Sequence, residues 1–235
     1  MNPVRTLSDT KRSFYTQHTR PINSIYRRIV EELMVEMHLL SVNTLFRDEP
    51  IYELGVVSSY ERLMGSYRPE GDQATIFQAL CRSVAADPEH YRRQAETLRT
   101  VAARLSPLQL ADWRSALPPL DGTEPLYSAL QAVADNDKFK YSRLFAIGLY
   151  SLVEAADPDA PRQEQQRNLD KLSQSLNLPT EKLAKDLELY QGNIEKLEQA
   201  RIIIEDALKS DRKKRQERVA SSEAPSQDGT PDTSG

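Results

Sequence analysis

Glycine is scarce in this chain of 235 residues, and its eight positions rule out several common chemical signatures. The glycines stand at 55, 65, 71, 122, 148, 192, 229 and 235, and no two are two, four or five positions apart. That spacing removes G-x-G-x-x-G, G-x-S-x-G and G-x-x-x-x-G-K, and with them the usual support for nucleotide-binding or hydrolase readings. Cysteine is limited to Cys81, so no intrachain disulfide can form. Phe77, Leu80 and Val84 surround it at helical spacing, which predicts a buried thiol and fits a reducing compartment. Histidine occurs only at His18, His38 and His90, and H-E-x-x-H is absent. A di-iron helical bundle needs Glu-x-x-His pairs. Tyr15, Val35 and Asp87 precede the three histidines at that offset, and Asp87 reads as a helix cap. No metal site, no cofactor and no recognisable catalytic constellation are therefore expected, and an enzyme with a cryptic carboxylate site stays as a further reading of the residues alone. Long apolar runs are missing too. Leu144–Val153 is the longest nearly apolar stretch, about half of the roughly 20 residues that a membrane span requires. The opening Met-Asn-Pro-Val-Arg lacks the apolar core of a signal peptide. A soluble protein, or one attached to a membrane surface, is expected.

What the chain does contain is helix-forming residues in periodic order. Ala, Leu, Glu, Gln, Arg and Lys are abundant, and these are the good helix formers. The 14 prolines fall at helix starts or in loops. Asp87-Pro88 and Ser106-Pro107 read as N-cap and N1 pairs, and Asp48-Glu49-Pro50 and Thr123-Glu124-Pro125 as similar starts. Leu117–Gly122 and Asp157–Pro161 read as loops. Between them the apolar residues recur at three and four. Ile22, Ile25, Ile29, Leu33, Met37 and Leu40 form one stripe; Ile76, Leu80 and Val84 form another; Tyr91, Ala95, Leu98, Ala102 and Leu105 form a third. Phe139–Ala156 is apolar on more than one side and reads as the central core helix. No strand alternation is evident. The fold class predicted is all-α, a multi-helix globular bundle of about nine helices.

The C-terminal third has its own pattern. Leu183, Leu187, Tyr190, Ile194, Leu197, Ile204 and Leu208 alternate by fours and threes, with Arg201 at one seam position. That is a heptad seam, and it predicts a long coiled-coil-like arm from Thr180 to about Arg218. Gln163–Leu176, with Leu169 and Leu172, is the antiparallel partner this reading expects. The domain reading is a helical core over 1–158, an arm over 162–218 and a disordered tail over 219–235, where Ser, Pro, Gln and Gly take over.

Charge is distributed unevenly beneath a modest net −4, a total that argues against nonspecific nucleic-acid binding. Before Glu31 the bases are Arg5, Lys11, Arg12, Arg20, Arg27 and Arg28, against Asp9 alone. Aromatic residues Phe14, Tyr15 and Tyr26 are interleaved with them. Phe139-Lys140-Tyr141-Ser142-Arg143 repeats the mixture at the start of the core helix. Two readings stand side by side: a solvated basic face with its aromatics packed inward, or a surface that contacts an acidic protein, anionic lipid headgroups or nucleic acid. The candidate partner-binding residues are Lys11, Arg12, Arg20, Tyr26, Arg27, Arg28, Lys140 and Arg143. Glu31, Glu32 and Glu36 read as the wet face of the helix that follows. A second basic cluster, Arg212–Arg215, complements a helix C-terminus and is also suited to an anionic membrane surface.

Several long strings carry a resemblance. They are Thr6-Leu-Ser-Asp-Thr-Lys-Arg-Ser-Phe-Tyr15, Thr19-Arg-Pro-Ile-Asn-Ser-Ile-Tyr-Arg-Arg28, Val30–Asn43, Pro50-Ile-Tyr-Glu-Leu-Gly-Val-Val57, Tyr67-Arg-Pro-Glu70, Ile76–Cys81 and Phe139–Tyr150. On these, the chain resembles the thylakoid formation protein family, also described as a photosystem II biogenesis factor, over roughly residues 6 to 210. The resemblance implies an all-helical, non-enzymatic accessory factor in photosystem II biogenesis and repair. It implies binding to an FtsH-type membrane protease complex, and contact with photosystem II assembly intermediates. A cyanobacterial protein on the cytoplasmic face of the thylakoid membrane, peripherally attached, is the expected setting. An anionic-lipid or nucleic-acid-binding helical adaptor is the alternative reading of the same basic residues.

Overall fold

A computed structural model describes residues 5–115 and 121–222, and among these it contains ten helices and no strand. They are α1 (Leu7–Gln17), α2 (Ser24–Ser41), α3 (Pro50–Met64), α4 (Glu70–Ser83), α5 (Pro88–Ala102), α6 (Pro107–Ala111), α7 (Glu124–Ala134), α8 (Arg143–Ala156), α9 (Arg162–Ser175) and α10 (Thr180–Ser222). The all-α prediction holds, with one helix more than expected; α6 is only five residues long.

Local chemistry sets the helix starts. Thr6 and Asp9 form a capping box on α1, and Ser106 and Gln109 form another on α6. Asn23, Asp87 and Ser142 each accept a backbone N–H of the first turn of α2, α5 and α8. Such caps satisfy donors that a helix leaves open. Pro50, Pro88, Pro107 and Pro125 lie in first turns, where proline's missing N–H costs nothing. The core helix begins at Arg143 rather than Phe139, because Ser142 takes the cap and holds Phe139 outside the helix. Phe139 still packs edge-on against Phe145 at 4.7 Å.

Two helices form the centre. Every residue of α8 from Leu144 to Val153 is buried, as its all-round apolarity predicts. Its partner α3 is buried from Ile51 to Tyr60, including the polar Glu53, Ser58 and Ser59. The two backbones touch at a pair of glycines. A Cβ on Gly55 would stand 1.7 Å from the Leu144 carbonyl oxygen, and one on Gly148 would stand 1.9 Å from that of Ile51. Only hydrogen fits at either position, and the approach brings Cα–H groups against carbonyls across the crossing. Around this axis α5 packs on α3 and α8, α7 packs on α5, and α1 packs on α4 and α2.

The leucines of the C-terminal third are used differently from the coiled-coil expectation. Backbone contacts divide the chain into two units, Met1–Tyr190 and Gln191–Gly235. Leu183, Leu187 and Tyr190 are buried within the first unit. Tyr141 donates to Asp186 at 2.8 Å, and Lys182 lies 4.9 Å from the Tyr141 ring centroid, which fastens the first turns of α10 beside the start of α8. Helix α9 packs against α6 and α8. Its Leu169 and Leu172, with the following Leu176, are buried, and Ser175 accepts the indole N–H of buried Trp113 at 3.0 Å. In the second unit Ile194 and Leu197 are half-buried, Ile202 and Ile203 are exposed, and Arg201 bonds Glu198 at 3.1 Å. The side chains of Ile204 and Leu208 lie outside the described residues, as does the predicted tail beyond Ser222.

The glycine crossing generates a sharp test. Gly55→Ala or Gly148→Ala places a methyl against a carbonyl that two buried helices hold in place, and lowers folding stability by about 3 kcal/mol or more. Gly71, where a Cβ would meet nothing within 4 Å, is the control. Gly71→Ala stabilises α4 by about 0.5–1 kcal/mol. Urea unfolding followed by far-ultraviolet circular dichroism reads all three.

Candidate functional site

The basic-aromatic N-terminal block folds as α1, a short extended link, and α2. Phe14 buries one side of α1, and two histidines fix the block to the core. His38 Nδ1 and Thr10 Oγ1 are 2.9 Å apart, joining α2 to α1. His18 Nδ1 and Thr75 Oγ1 are 3.2 Å apart, joining the end of α1 to α4. Burial is the main influence on both imidazoles and holds their pKa values below the ordinary range, so both are neutral at pH 7.

The outer face of α2 lines an open groove of about 900 Å³, with Lys11 on the α1 side and Arg143 on the α8 side. Along α2 its lining runs Ser24, Arg27, Arg28, Glu31, Glu32, Val35, Glu36 and Leu39. That stripe is about 22 Å long at the helical rise of 1.5 Å per residue. Three ion pairs cross or border it: Lys11–Glu31 at 3.5 Å, Arg28–Glu32 at 3.0 Å and Arg143–Glu36 at 2.6 Å. Glu36 holds both Arg143 Nε and Nη2, and accepts the Leu144 backbone N–H at 3.3 Å, so it ties α2 to the start of the core helix. The Tyr15 hydroxyl donates to Glu31 at 2.9 Å. Burial and the Glu31 carboxylate both push that phenol upward.

This geometry changes the meaning of the candidate residues. The groove gathers Lys11, Arg27, Arg28 and Arg143, as a docking surface requires. It is not a bare cationic face, because the acids of α2 neutralise three of those four bases. Arg27 is exposed and makes no salt bridge to a described residue. Val35 and Leu39 supply apolar surface at the other end, and Leu39 is 61% exposed. Arg20 lies outside the groove. Its guanidinium holds Asp72 at 2.6 Å, and Asp72 is 4% exposed, so Arg20 is a clamp between the link and α4. Tyr26 is half-buried edge-on against Tyr67 at 5.1 Å. Arg12 and Lys140 are exposed and are not among the groove-lining residues. The sequence reading did not pick out Val35 and Leu39 as part of this groove. The signal was available in their i,i+4 spacing from Glu31, on the face opposite the buried Leu33, Met37 and Leu40.

Other sites offer less. A cleft of about 590 Å³ between α3, α5 and α8 is lined by Glu61, Arg62, Glu96, Arg99 and Glu154. Its arginines are held by Glu154 and Glu61. Among the described residues no three His, Cys, Asp or Glu side chains converge as metal ligands, and no helix is long and apolar enough to cross a membrane.

Comparison with known proteins gives a consistent result. A family model described as Thylakoid formation protein matches residues 6–219. Protein Thf1 of Nostoc punctiforme is 52% identical over 227 residues, covering 96% of this chain and 97% of that protein. Protein Thf1 of Trichormus variabilis is 50% identical over the same length, with 96% and 97% covered. The solved structure of Psb29 superposes with a TM-score of 0.76 at 41% identity, covering 90% of this chain and 98% of that one.

Two outcomes separate scaffold from surface. Arg20→Ala leaves a buried carboxylate without its guanidinium and costs about 1–3 kcal/mol, whereas Arg27→Ala stays within about 0.5 kcal/mol. Chemical denaturation of the two variants checks this. The histidine ties are acid-labile. Because the folded-state values are depressed, their contribution is complete above the unfolded value of about 6.5 and is lost as pH falls below it. The thermal midpoint accordingly drops below pH 6.5, and His38→Gln shows a shallower drop over the same range.

Proposed function

Because the chain belongs to the thylakoid formation protein family, we propose that it is an accessory factor of thylakoid formation and photosystem II biogenesis that works by binding proteins rather than by catalysis. The partner assigned to it is an FtsH-type membrane protease complex, engaged from the cytoplasmic face of the thylakoid, with photosystem II assembly intermediates as further contacts. The groove along α2 is the docking site.

One observation carries this reading: the groove places an unbridged arginine, two partly exposed ion pairs, the half-buried Val35 and the exposed Leu39 in one line along α2. Each part has a binding role. Exposed ion pairs are worth only about 0–1 kcal/mol, so they exchange partners at little cost. An acidic side chain of the partner meets Arg27 and is kept in register by the Lys11–Glu31 and Arg28–Glu32 pairs beside it. An apolar side chain covers Leu39 and Val35, where removing surface from water contributes about 25 cal/mol per Å². The alternation of charge along the groove suits discrimination between partners more than raw affinity. A wholly basic patch, by contrast, accepts any polyanion.

The family name supports the thylakoid setting, and the absence of a membrane-spanning helix among the described residues fits attachment at a surface. Affinity purification from solubilised thylakoids tests the assignment. The double variant Arg27→Glu/Leu39→Asp recovers at least tenfold less protease complex, equivalent to about 1.4 kcal/mol, while Arg12→Glu recovers as much as the unaltered protein. Full recovery with the double variant removes the groove from the account. Absence of the protease from both preparations removes the partner.

A further inference from the structure

The connection between α2 and α3 is fastened over a group of acids that the docking groove does not use. Glu53 lies one turn into α3 and is 3% exposed. Its Oε1 is 3.2 Å from His90 Nε2 on α5, and its Oε2 has no hydrogen-bond partner among the described residues. Asp48 and Glu49 sit immediately before α3. The hydroxyl of buried Tyr91 donates to both Asp48 oxygens, at 2.9 and 2.8 Å. Tyr91 packs edge-on against Tyr52 at 6.2 Å, and Tyr52 against Phe46 at 4.8 Å. The connection is thus held to α5 by one hydroxyl–carboxylate contact and a short aromatic chain.

The groups around this cluster offset its charge only in part: His90 acts on Asp48, and Arg47, exposed on the connection itself, acts on Glu49. From α5 come His90, whose side chain is 46% exposed, Tyr91, and Arg92, which stacks 4.6 Å over Phe77. From α4 comes the buried Cys81 thiol, which burial pushes up to about 12. From α2 comes Glu36, committed to Arg143; from α8, Arg143 and Glu154 are committed to Glu36 and Arg62. Asp87 caps α5.

We propose that Glu53 is a proton-controlled latch on the α2–α3 connection: its neutral carboxyl keeps Asp48 and Glu49 closed against α5, and its ionisation releases them. The geometry says which part yields. A charge on Glu53 has an unpartnered oxygen in a buried site and two like charges nearby, which is costly in a low-dielectric surround. Helices α3 and α5 cannot move apart without disturbing the core, whereas the side-chain ties of the connection to that core are the Tyr91–Asp48 and Phe46–Tyr52 contacts. Its displacement admits water to Glu53 and separates the carboxylates. Burial, with Asp48 and Glu49 adding to it, raises Glu53 to about 8. Asp48 is exposed and Glu49 half-buried at the residue level, yet partial desolvation of their carboxylates beside α5 raises both.

The sign follows from linkage. In the open form Glu53 returns to a value near 4.3, so opening releases its proton between that value and about 8. One proton released makes the opening constant rise tenfold per pH unit over that window and level off above about 8. Hydrogen exchange of the Leu45 and Phe46 amides, both bonded to Asn43 at 3.0 Å, reads this directly after correction for intrinsic rates. Between pH 6.5 and 7.5 the opening constant rises at least severalfold, while in Glu53→Gln it stays flat. Glu49→Gln, which keeps the latch but removes one like charge, moves the levelling point to lower pH. A flat response in the unaltered protein overturns the proposal, as does an equal rise in Glu53→Gln. If Glu53→Gln does not fold, a carboxyl carbon titration of the unaltered protein decides: a Glu53 midpoint near 4.3 overturns it. None of these readouts depends on the docking groove.

Discussion

The contact between Gly55 and Gly148 sets the geometry of everything else in the first unit. With two hydrogens where other helix pairs place side chains, α3 and α8 approach until backbone meets backbone. That closeness gives the core its axis and fixes the depth at which α5 can pack across both helices. It also sets where the start of α8 emerges. Arg143 and the first-turn backbone N–H of Leu144 face α2, where Glu36 accepts from both. The groove wall on that side is therefore a product of the helix crossing, although no glycine lines it.

Charge arrangement, rather than charge excess, distinguishes the surface of α2. Two of the basic residues of the N-terminal block, Lys11 and Arg28, are matched by the acids Glu31 and Glu32 of α2. Such pairs contribute little to stability when exposed. Their effect is to convert a basic block into an ordered series of alternating charges with apolar surface at one end. Arg20 shows the opposite use of the same residue type, since its partner Asp72 is buried and the pair holds the link between α1 and α2 to the core.

Much of this architecture was legible in the sequence because it is local. The caps at Asp87 and Ser106 and the prolines beside them are decided by the first turn of each helix, so short-range chemistry suffices; the cap at Ser142, which moves the start of α8 to Arg143, was not read. The all-round burial of α8 was legible from composition alone. What was not legible involves partners far apart in the chain. Arg143 and Glu36 are 107 positions apart, and neither residue signals the other. The two glycines were informative in sequence only for the motifs they failed to make; their pairing needs the fold. The C-terminal leucines illustrate a different failure. A spacing of threes and fours specifies a buried stripe but not what buries it, so Leu183, Leu187 and Tyr190 read equally well as a coiled-coil seam and as the edge of a core. The groove itself was half visible: its bases were identified, while Val35 and Leu39 were not picked out from an amphipathic helix whose buried stripe drew attention away from the opposite side.

The position of Trp113 governs how this molecule can be observed. It is the only indole in 235 residues, fully enclosed, with its N–H committed to Ser175. Its emission therefore samples one locality, the seat of α9 beside α6. Excitation selective for tryptophan is blind to changes along α2 or at the α2–α3 connection unless they propagate to that seat. The ten tyrosines are spread more widely. Comparing the two chromophores along one denaturation curve is thus an internal check on cooperativity, because coincident transitions require that distant parts of the fold give way together.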